Sequence, residues 1–278
     1  MKTKDCLGDR MKKYEELSES YFMPGLPVNV RLDGRAFHTF CRNLIKPFDA
    51  RMSKAMIETT KYIVQRTNAV VGYTQSDEIS LLFIPKENEQ ISLFGGRKQK
   101  LISTIASMAT AKFNQQVNLL IPEKKDYLAE FDCRAYNSPT IHEAINAIRW
   151  REWDAKKNSI SMAAHAVASN SVLDGLDGLD RKQLLASKGI IWNDFDNHFK
   201  YGTYVKRTTY TIELSDEQWN KLSDKAKEKT SRTCVRSKIA EINIPHVSKI
   251  SNYTDVIVNG ATPILYTHEE LLMRGADV

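Results

Sequence analysis

Two segments in the first third of the chain each place apolar, β-branched residues beside carboxylates. The run 28–32 ends in an Asp-Gly pair at 33–34, and the segment 70–84 has two apolar runs around a polar tip that carries Asp77 and Glu78. The first segment reads as a strand that ends in a turn, and the second as a β-hairpin. If the hairpin lies beside the first strand, the three acids meet at one sheet edge. Their mutual repulsion there is tolerable only if cations lie between them.

Each segment also has a purely structural interpretation. Asp-Gly after a strand is a common turn, and the Ser-Asp-Glu sequence at 76–78 is typical of a hairpin tip or a helix cap. The order of elements indicates a larger unit than these local turns. It consists of a strand, an amphipathic helix over 50–68, the hairpin, a second helix after 95–96 and a strand at 131–136. That order predicts an α+β fold with a ferredoxin-like (βαββαβ) antiparallel sheet, in which the acids lie on adjacent strands.

Beyond residue 140 the sequence predicts one long helix and less regular structure. A helical pattern runs over 141–167 and contains two tryptophans, Trp150 and Trp153, which are expected in the core. Strands are expected at 189–192 and 201–214. A charged helix follows from Ser215, and the last forty or so residues carry no chemical signature.

Composition limits the class of protein. With 278 residues, of which 42% are hydrophobic, the chain can bury a substantial core. No stretch approaches ~18 uninterrupted apolar residues, and residues 1–5 lack the apolar core of a signal peptide, so we expect a cytoplasmic protein with no membrane partner. The four cysteines are scattered, which predicts neither disulfides nor structural zinc.

The charge suits a polyanionic partner. The formal net charge is +6 and the pI is about 9.0, with basic residues gathered at 97–100, 149–157 and 200–207. Such clusters are usually solvated surface, but near carboxylates that hold metal ions they favour phosphate contacts. Two divalent ions ~4 Å apart, shared by aspartates, can activate an attacking oxygen and steady a departing phosphate oxygen. The residues alone thus indicate phosphoryl-transfer chemistry.

Three stretches resemble the tRNA-histidine guanylyltransferase family, in particular its bacterial and archaeal like-protein branch. They are RLDGRAFHTF at 31–40, Lys-Pro at 46–47 and GYTQSDE at 72–78. The resemblance covers about the first 210 residues in order. Enzymes of this family are reverse-direction (3′–5′) polymerases that add nucleotides to the 5′ end of tRNA. The resemblance implies a polymerase-type palm, tRNA, ATP, GTP and other nucleoside triphosphates as partners, two Mg²⁺ ions and a homotetramer.

The resemblance also implies a division of the chain and roles for its residues. Residues 1–140 would form the catalytic palm-like domain with an N-terminal helix. Residues 141–214 would complete the nucleotide- and tRNA-binding part, and 215–278 would be an extension of unknown role. Asp33 and Asp77 would bridge the two Mg²⁺ with the Gly34 carbonyl as a further ligand, and Glu78 would be an auxiliary catalytic acid. Nucleotide or RNA contacts would come from Arg31, Arg35, His38, Lys46, Ser76, Arg97, Lys100, Arg134, Asp154, Lys157, Asn158 and Lys188.

Three of these positions have a simpler explanation. A lone histidine beside aromatic residues, as His38 is, is more often a satisfied core residue than a ligand-binding one. Asp154 and Lys157 share a helix face with Asn158 and could form a local salt bridge.

One departure from the family bears on the substrate. The guanylyltransferases proper carry His-Ile-Asn-Asn where this chain has Lys-Lys-Asn-Ser at 156–159. A lysine can bind phosphate but cannot donate and recover a proton near neutral pH. This favours templated repair of 5′-truncated tRNA, after 5′ activation by ATP or GTP, over guanylate addition to histidine tRNA. A nucleotidyl cyclase or 5′–3′ palm-type polymerase is also compatible with the sequence, and so is a non-catalytic tRNA-binding module.

Overall fold

The computed structural model describes residues 6–227 and 231–273. Residues 1–5, where we expect no signal peptide, lie outside the described part. The helices are α1 Cys6–Ser18, α2 Phe37–Phe40, α3 Ala50–Thr67, α4 Lys98–Leu120, α5 Ile141–His165, α6 Asn170–Leu173, α7 Gly178–Ser187, α8 Asn197–Tyr201, α9 Asp216–Asn220, α10 Asp224–Lys227, α11 Tyr253–Asn259 and α12 His268–Met273. The strands are β1 Val28–Gly34, β2 Val71–Gln75, β3 Glu78–Phe83, β4 Phe131–Asn137, β5 Thr203–Glu213 and β6 Thr233–Ile242.

The six strands form one antiparallel sheet in the order β4-β1-β3-β2-β5-β6. Its first four strands have the order and helix connections of a ferredoxin-like βαββαβ unit, as the sequence predicted. β5 and β6 extend the same sheet beyond β2. The central strand β1 therefore has β3 on one side and β4 on the other, and its C-terminal end carries Asp33.

One face of the sheet is covered by α3 and α4. α3 begins where the Asp49 side chain accepts a hydrogen bond from the Arg51 backbone N–H at 3.0 Å and so caps the N-terminus of the helix. Alternate residues of β1 (Val28, Val30 and Leu32) are at most 1% exposed and pack with the apolar faces of both helices. This alternation fixes which side chains of β1 point to the opposite face.

The opposite face is covered by α5 and by the C-terminal part of the chain. Asn29, on β1, donates to the Ala144 carbonyl at 2.9 Å and so ties the sheet to the first turn of α5. α11 packs against the same face through Val256 and Ile257. Residues 215–278, whose role the sequence left open, thus supply a sheet strand and part of this second core.

The prediction of a strand at 189–192 is wrong. Residues Trp192–Asp194 form a short 3-10 turn, and Trp192 is buried against Leu185 and Phe199. A short apolar run signals burial but does not distinguish a strand from a buried loop. The strand expected at 201–214 is present as β5. Among the described residues, no helix is both long and apolar enough to cross a lipid bilayer.

A buried carboxyl group lies inside the second core. Glu152, on α5, accepts hydrogen bonds from the Tyr204 hydroxyl at 2.9 Å and from the Val247 N–H at 3.2 Å. Burial raises the pKa of Glu152 to about 8, and burial lowers the pKa of the neighbouring His246 to about 4. Both side chains are therefore neutral at pH 7. Between about pH 4.5 and 8 the folded protein holds a proton on Glu152 that the unfolded chain releases, so stability falls as the pH rises through this range.

Replacing Glu152 by glutamine should remove that pH dependence. The variant cannot ionise at this position, so relative to the wild type it should gain about 2 kcal/mol or more in unfolding free energy between pH 5 and pH 8. Urea unfolding at both pH values measures this. Glu241→Gln, at an exposed position on β6, is the matched control and should leave the pH slope nearly unchanged. Parallel pH profiles for the wild type and Glu152→Gln would contradict the assignment.

Candidate active site

The sheet face beneath α5 carries two rows of charged side chains near the end of β1. In the first row, Asp33 lies opposite Glu78 on β3 and opposite Asp132 on β4. In the second row, two residues earlier on the strand, Arg31 lies opposite Arg134. Directly opposed residues on antiparallel strands have Cβ atoms about 5 Å apart, so each row is a set of neighbours. A band of acids therefore lies next to a band of arginines.

Asp77 reaches the same end of the sheet from the hairpin turn. Ser76 and Asp77 are the two turn residues between β2 and β3, and the Gly34 N–H donates to the Asp77 carbonyl at 3.1 Å. The Ser76 hydroxyl donates to the Asp77 carboxylate at 3.0 Å. These two bonds hold the turn against the end of β1 and fix the Asp77 side chain beside it.

Asp33 and Asp77 form an acidic pair at this end of the sheet. Burial, together with the nearby charge of Asp33, raises the pKa of Asp77 to about 6. Carboxylate and carbonyl oxygens are the ligands that Mg²⁺ prefers, and a bound cation would relieve the repulsion. The residues present therefore fit a magnesium site made by Asp33, Asp77 and the Gly34 carbonyl. In the described part of the chain, no group of three or more His, Cys, Asp or Glu side chains is placed to hold a metal ion.

Glu78 differs from the expectation that all three acids would meet at the ions. Both of its carboxylate oxygens accept hydrogen bonds from Arg151 on α5, each at 2.6 Å. The side chains of this ion pair are 7% and 12% exposed. Arg151 also donates to Asp154 at 3.0 Å. We therefore interpret Glu78 as a positioning residue that docks α5 onto the sheet, and a catalytic role for it stays a prediction.

A cavity of about 670 Å³ opens beside the hairpin turn. Its lining brings together four of the predicted contact residues: His38, Lys46, Ser76 and Asn158. The loop before α3 forms one wall, α5 another, and α8 closes the third side. The volume lies within the range of small-molecule sites, about 300–1,000 Å³. His38 is exposed at this cavity rather than buried among aromatic side chains, so the core interpretation of it is wrong.

The chain is similar in sequence and fold to proteins of one family. A profile of the Thg1 family, tRNAHis guanylyltransferase, matches residues 8–139. A solved structure of a bacterial tRNA(His) guanylyltransferase (Thg1)-like protein in complex with ATP is 36% identical, has a TM-score of 0.73 and matches 91% of this chain and 98% of its own. The complex of such a protein with GTP is 34% identical, with a TM-score of 0.70 over 91% and 99% of the two chains. The tRNA(His) guanylyltransferase of Debaryomyces hansenii is 28% identical over 252 residues, which are 84% of this chain and 91% of the relative.

The chain belongs to the tRNA(His) guanylyltransferase family. It is therefore a nucleotidyltransferase, and the resemblance seen in the sequence is confirmed. The match of the bacterial structures extends over almost their whole length, so it includes the sheet, both helices beneath it and α5.

The remaining predicted contact residues near the site lie outside the cavity lining. Arg35 pairs with Glu130 at 2.7 Å on the surface, and Lys157 is exposed. Asp154 accepts hydrogen bonds from Arg151 and, at 3.3 Å, from Asn158, so these two contacts replace the expected bridge to Lys157. Asp154 thus supports one cavity residue, and a direct contact between it and a nucleotide or RNA stays a prediction.

Three predicted cations lie away from the acids within a single chain. Arg97 and Lys100 are at the start of α4, where Lys100 lies over the Phe94 ring. Thr110 lies ten residues, or ~15 Å, further along α4 than Lys100. Its hydroxyl accepts a hydrogen bond from the Phe131 N–H beside the end of β1, so it marks how far Lys100 is from that end of the strand. Lys188 follows the end of α7 and is exposed. Roles for these residues in nucleotide or RNA binding stay predictions.

Sequence reasoning missed Arg151 and misread the tryptophans. The signal for Arg151 was its spacing of three residues from Asp154, which puts both on one helix face. Trp150 and Trp153, expected in the core, are 53% and 43% exposed. The helical pattern of α5 does not reveal this, because the exposure of each side chain depends on which elements pack against the helix.

Proposed function

We propose that this protein adds nucleotides in the 3′–5′ direction to the 5′ end of tRNA, with templated repair of 5′-truncated tRNA as its principal reaction. The observation that carries the proposal is the Asp33–Asp77 acidic pair, in which the pKa of Asp77 is raised, beside a cavity of nucleotide size. The likeness to bacterial relatives whose structures contain ATP and GTP supports these two nucleotides, with the other nucleoside triphosphates, as ligands of the cavity.

The cavity residues suit a nucleoside triphosphate. Lys46 supplies a cation for the polyphosphate, and the Ser76 hydroxyl and Asn158 amide supply neutral hydrogen bonds. Two Mg²⁺ ions held by Asp33, Asp77 and the Gly34 carbonyl would lower the pKa of an attacking hydroxyl and neutralise charge on the leaving group. Arg31 and Arg134 lie one row from Asp33 and are placed to hold the phosphate of the RNA end.

The reaction then has two phosphoryl-transfer steps. First, an oxygen of the RNA 5′-monophosphate attacks the α-phosphorus of ATP or GTP, and pyrophosphate leaves. Second, the 3′-hydroxyl of an incoming nucleotide attacks the activated 5′-phosphorus, the hydroxyl proton is lost, and AMP or GMP leaves. Positioning and charge stabilisation by the chain's own residues account for most of the catalysis expected in such transfers.

The choice of repair over histidine-tRNA guanylylation rests on α5. Lys156 and Lys157 stand where the guanylyltransferases proper carry His-Ile, so this chain has no titratable imidazole at that place. A permanent cation binds phosphate but does not exchange a proton near pH 7. A homotetramer in the cytoplasm is part of the same proposal and rests on the resemblance alone.

Incubation of a tRNA that lacks its first nucleotide tests the proposed function. The RNA should carry a 5′-monophosphate and be mixed with ATP, Mg²⁺ and all four nucleoside triphosphates. Sequencing of the 5′ ends should show the single nucleotide that pairs with the opposing base. Intact histidine tRNA is the control substrate, and preferred addition of G to it would favour guanylylation. A 3′ extension or a cyclic nucleotide would instead support a 5′–3′ polymerase or a cyclase, and Mg²⁺-independent RNA binding without a product would support the binding module.

A further inference from the structure

Trp150 is an exposed aromatic side chain among arginines at the rim of the site. Its ring lies 4.5 Å from the Arg151 guanidinium carbon and 5.8 Å from that of Arg31. A narrow cleft between α5 and the sheet is lined by Arg31, Tyr136, Trp150 and Arg151. Tyr136 is 45% exposed and lies on β4, two residues beyond Arg134. We call the set Arg31, Arg134, Tyr136 and Trp150 the Trp150 platform.

The Trp150 platform and the cavity lie along the same helix on either side of the acids. Trp150 and Arg151 belong to the first half of α5, whereas Ala155, Asn158 and Met162 line the cavity further along it. Between the platform and the cavity, Arg151 donates a hydrogen bond to Glu78, which lies opposite Asp33. The reaction joins two substrates, and the cavity accommodates one nucleoside triphosphate. The platform is a cationic surface that adjoins Asp33 on this sheet face.

The chemistry of the platform matches a nucleotide of an RNA strand. Arginines attract the phosphate, and an exposed indole offers a flat face on which any base can stack. Arg31 is two residues from Asp33 along an extended strand, or ~6.6 Å, and its charge is felt by Glu78 in the acid row. If the phosphate of a nucleotide is held between Asp33 and the arginines, the base of the same nucleotide therefore lies close to the indole.

We propose that Trp150 stacks on the nucleobase of the 5′-terminal nucleotide of the RNA and so places its phosphate beside Asp33 and Asp77. The inference rests on the proposed function and adds a binding residue for the RNA end. It separates the two substrates: the triphosphate binds in the cavity, and the RNA end binds on the Trp150 platform.

Steady-state kinetics of 5′ addition test this with Trp150→Ala and Trp150→Phe. Trp150→Ala should raise the KM for truncated tRNA about tenfold or more, because a stacked base is lost, and leave the KM for ATP unchanged. Trp150→Phe keeps a ring and should stay within about threefold of the wild type. Trp153→Ala, one turn along α5 at a similarly exposed tryptophan, is the matched control and should behave as the wild type.

An abasic RNA tests the same contact without relying on a variant. A truncated tRNA whose 5′-terminal nucleotide lacks its base should show the raised KM with the wild type, and Trp150→Ala should add no further loss. If Trp150→Ala raised the KM by the same factor for the abasic RNA as for the RNA with its 5′-terminal base, that result would overturn the inference. So would a raised KM for ATP in Trp150→Ala, or a changed molecular mass in light scattering, which would mark the platform as a contact between copies of the chain.

The two proposals fail in different ways. If the wild type adds no nucleotide to any 5′ end, the proposed function is wrong. If it adds nucleotides while Trp150→Ala and the abasic RNA leave the KM for tRNA unchanged, only the Trp150 platform is wrong.

Discussion

Replacing Asp33 or Asp77 by asparagine is expected to lower the rate of nucleotide addition by about a thousandfold or more. Asparagine keeps the shape of the side chain but removes the negative charge that would hold the metal ions. The loss corresponds to ~4 kcal/mol of transition-state stabilisation, which is within what a metal site supplies. Both steps should be affected equally, because activation and addition use the same pair of carboxylates.

The same substitution should have the opposite effect on stability when no metal is present. The raised pKa of Asp77 means that ionising this side chain costs more free energy in the folded protein than in the unfolded chain, a penalty that is fully present at neutral pH. Asparagine removes that penalty, so Asp77→Asn should be more stable than the wild type by about 1–2 kcal/mol in EDTA at pH 7.5. A protein that is inactive yet more stable cannot owe its inactivity to misfolding.

Single-turnover rates of adenylylation and addition, measured beside thermal unfolding in EDTA, give both quantities. Asp132→Asn is the matched control because Asp132 lies opposite Asp33 in the same row but is exposed and paired with Arg134 at 3.0 Å. It should retain activity within about tenfold. Normal turnover by a variant with both Asp33 and Asp77 replaced would refute the metal-site assignment.

The part of the fold that the sequence predicts is the part governed by local pattern. The βαββαβ unit follows from the apolar runs that form its strands, from the 3.6-residue period of α3 and from the hairpin turn. Those same patterns place Asp33 and Asp77 at one end of the sheet. β6 carries Arg236 and Lys238 and has no clean alternation, because much of it is exposed on both faces. Its pairing with β5 is therefore visible only in the structure.

Contacts between distant parts of the chain are what the sequence does not show. Glu78 looks like a third metal ligand because it follows Asp77 directly, yet successive residues at a strand end point in different directions. Its partner Arg151 comes from a helix 73 residues later. Trp150 has the sequence context of a core residue, but its exposure depends on how α5 packs against the rest of the chain. The functional interpretation of such residues depends on how distant elements dock.

The Glu78–Arg151 pair leads to the largest expected change in stability. Arg151→Met should lower the unfolding free energy by about 3 kcal/mol or more, because it leaves the Glu78 carboxylate buried without its partner. In the double variant Glu78→Gln with Arg151→Met no buried charge is left unpaired, since Asp154, the other partner of Arg151, is 35% exposed, so at least about half of the loss should be recovered. Urea unfolding of the single and double variants measures the coupling between the two side chains.

Burial, rather than the length of the hydrogen bond, determines this expected loss. Lys221 and Glu217 on α9 form an ion pair of the same 2.6 Å distance, but their side chains are 74% and 79% exposed. Lys221→Met is therefore the matched control and should change the unfolding free energy by no more than about 0.5 kcal/mol. Similar losses in Lys221→Met and Arg151→Met would show that the buried pair does not dock α5 onto the sheet. A large loss in Arg151→Met alone, with recovery in the double variant, would identify this ion pair as the contact that holds α5, and with it Asn158 and Trp150, above the acids.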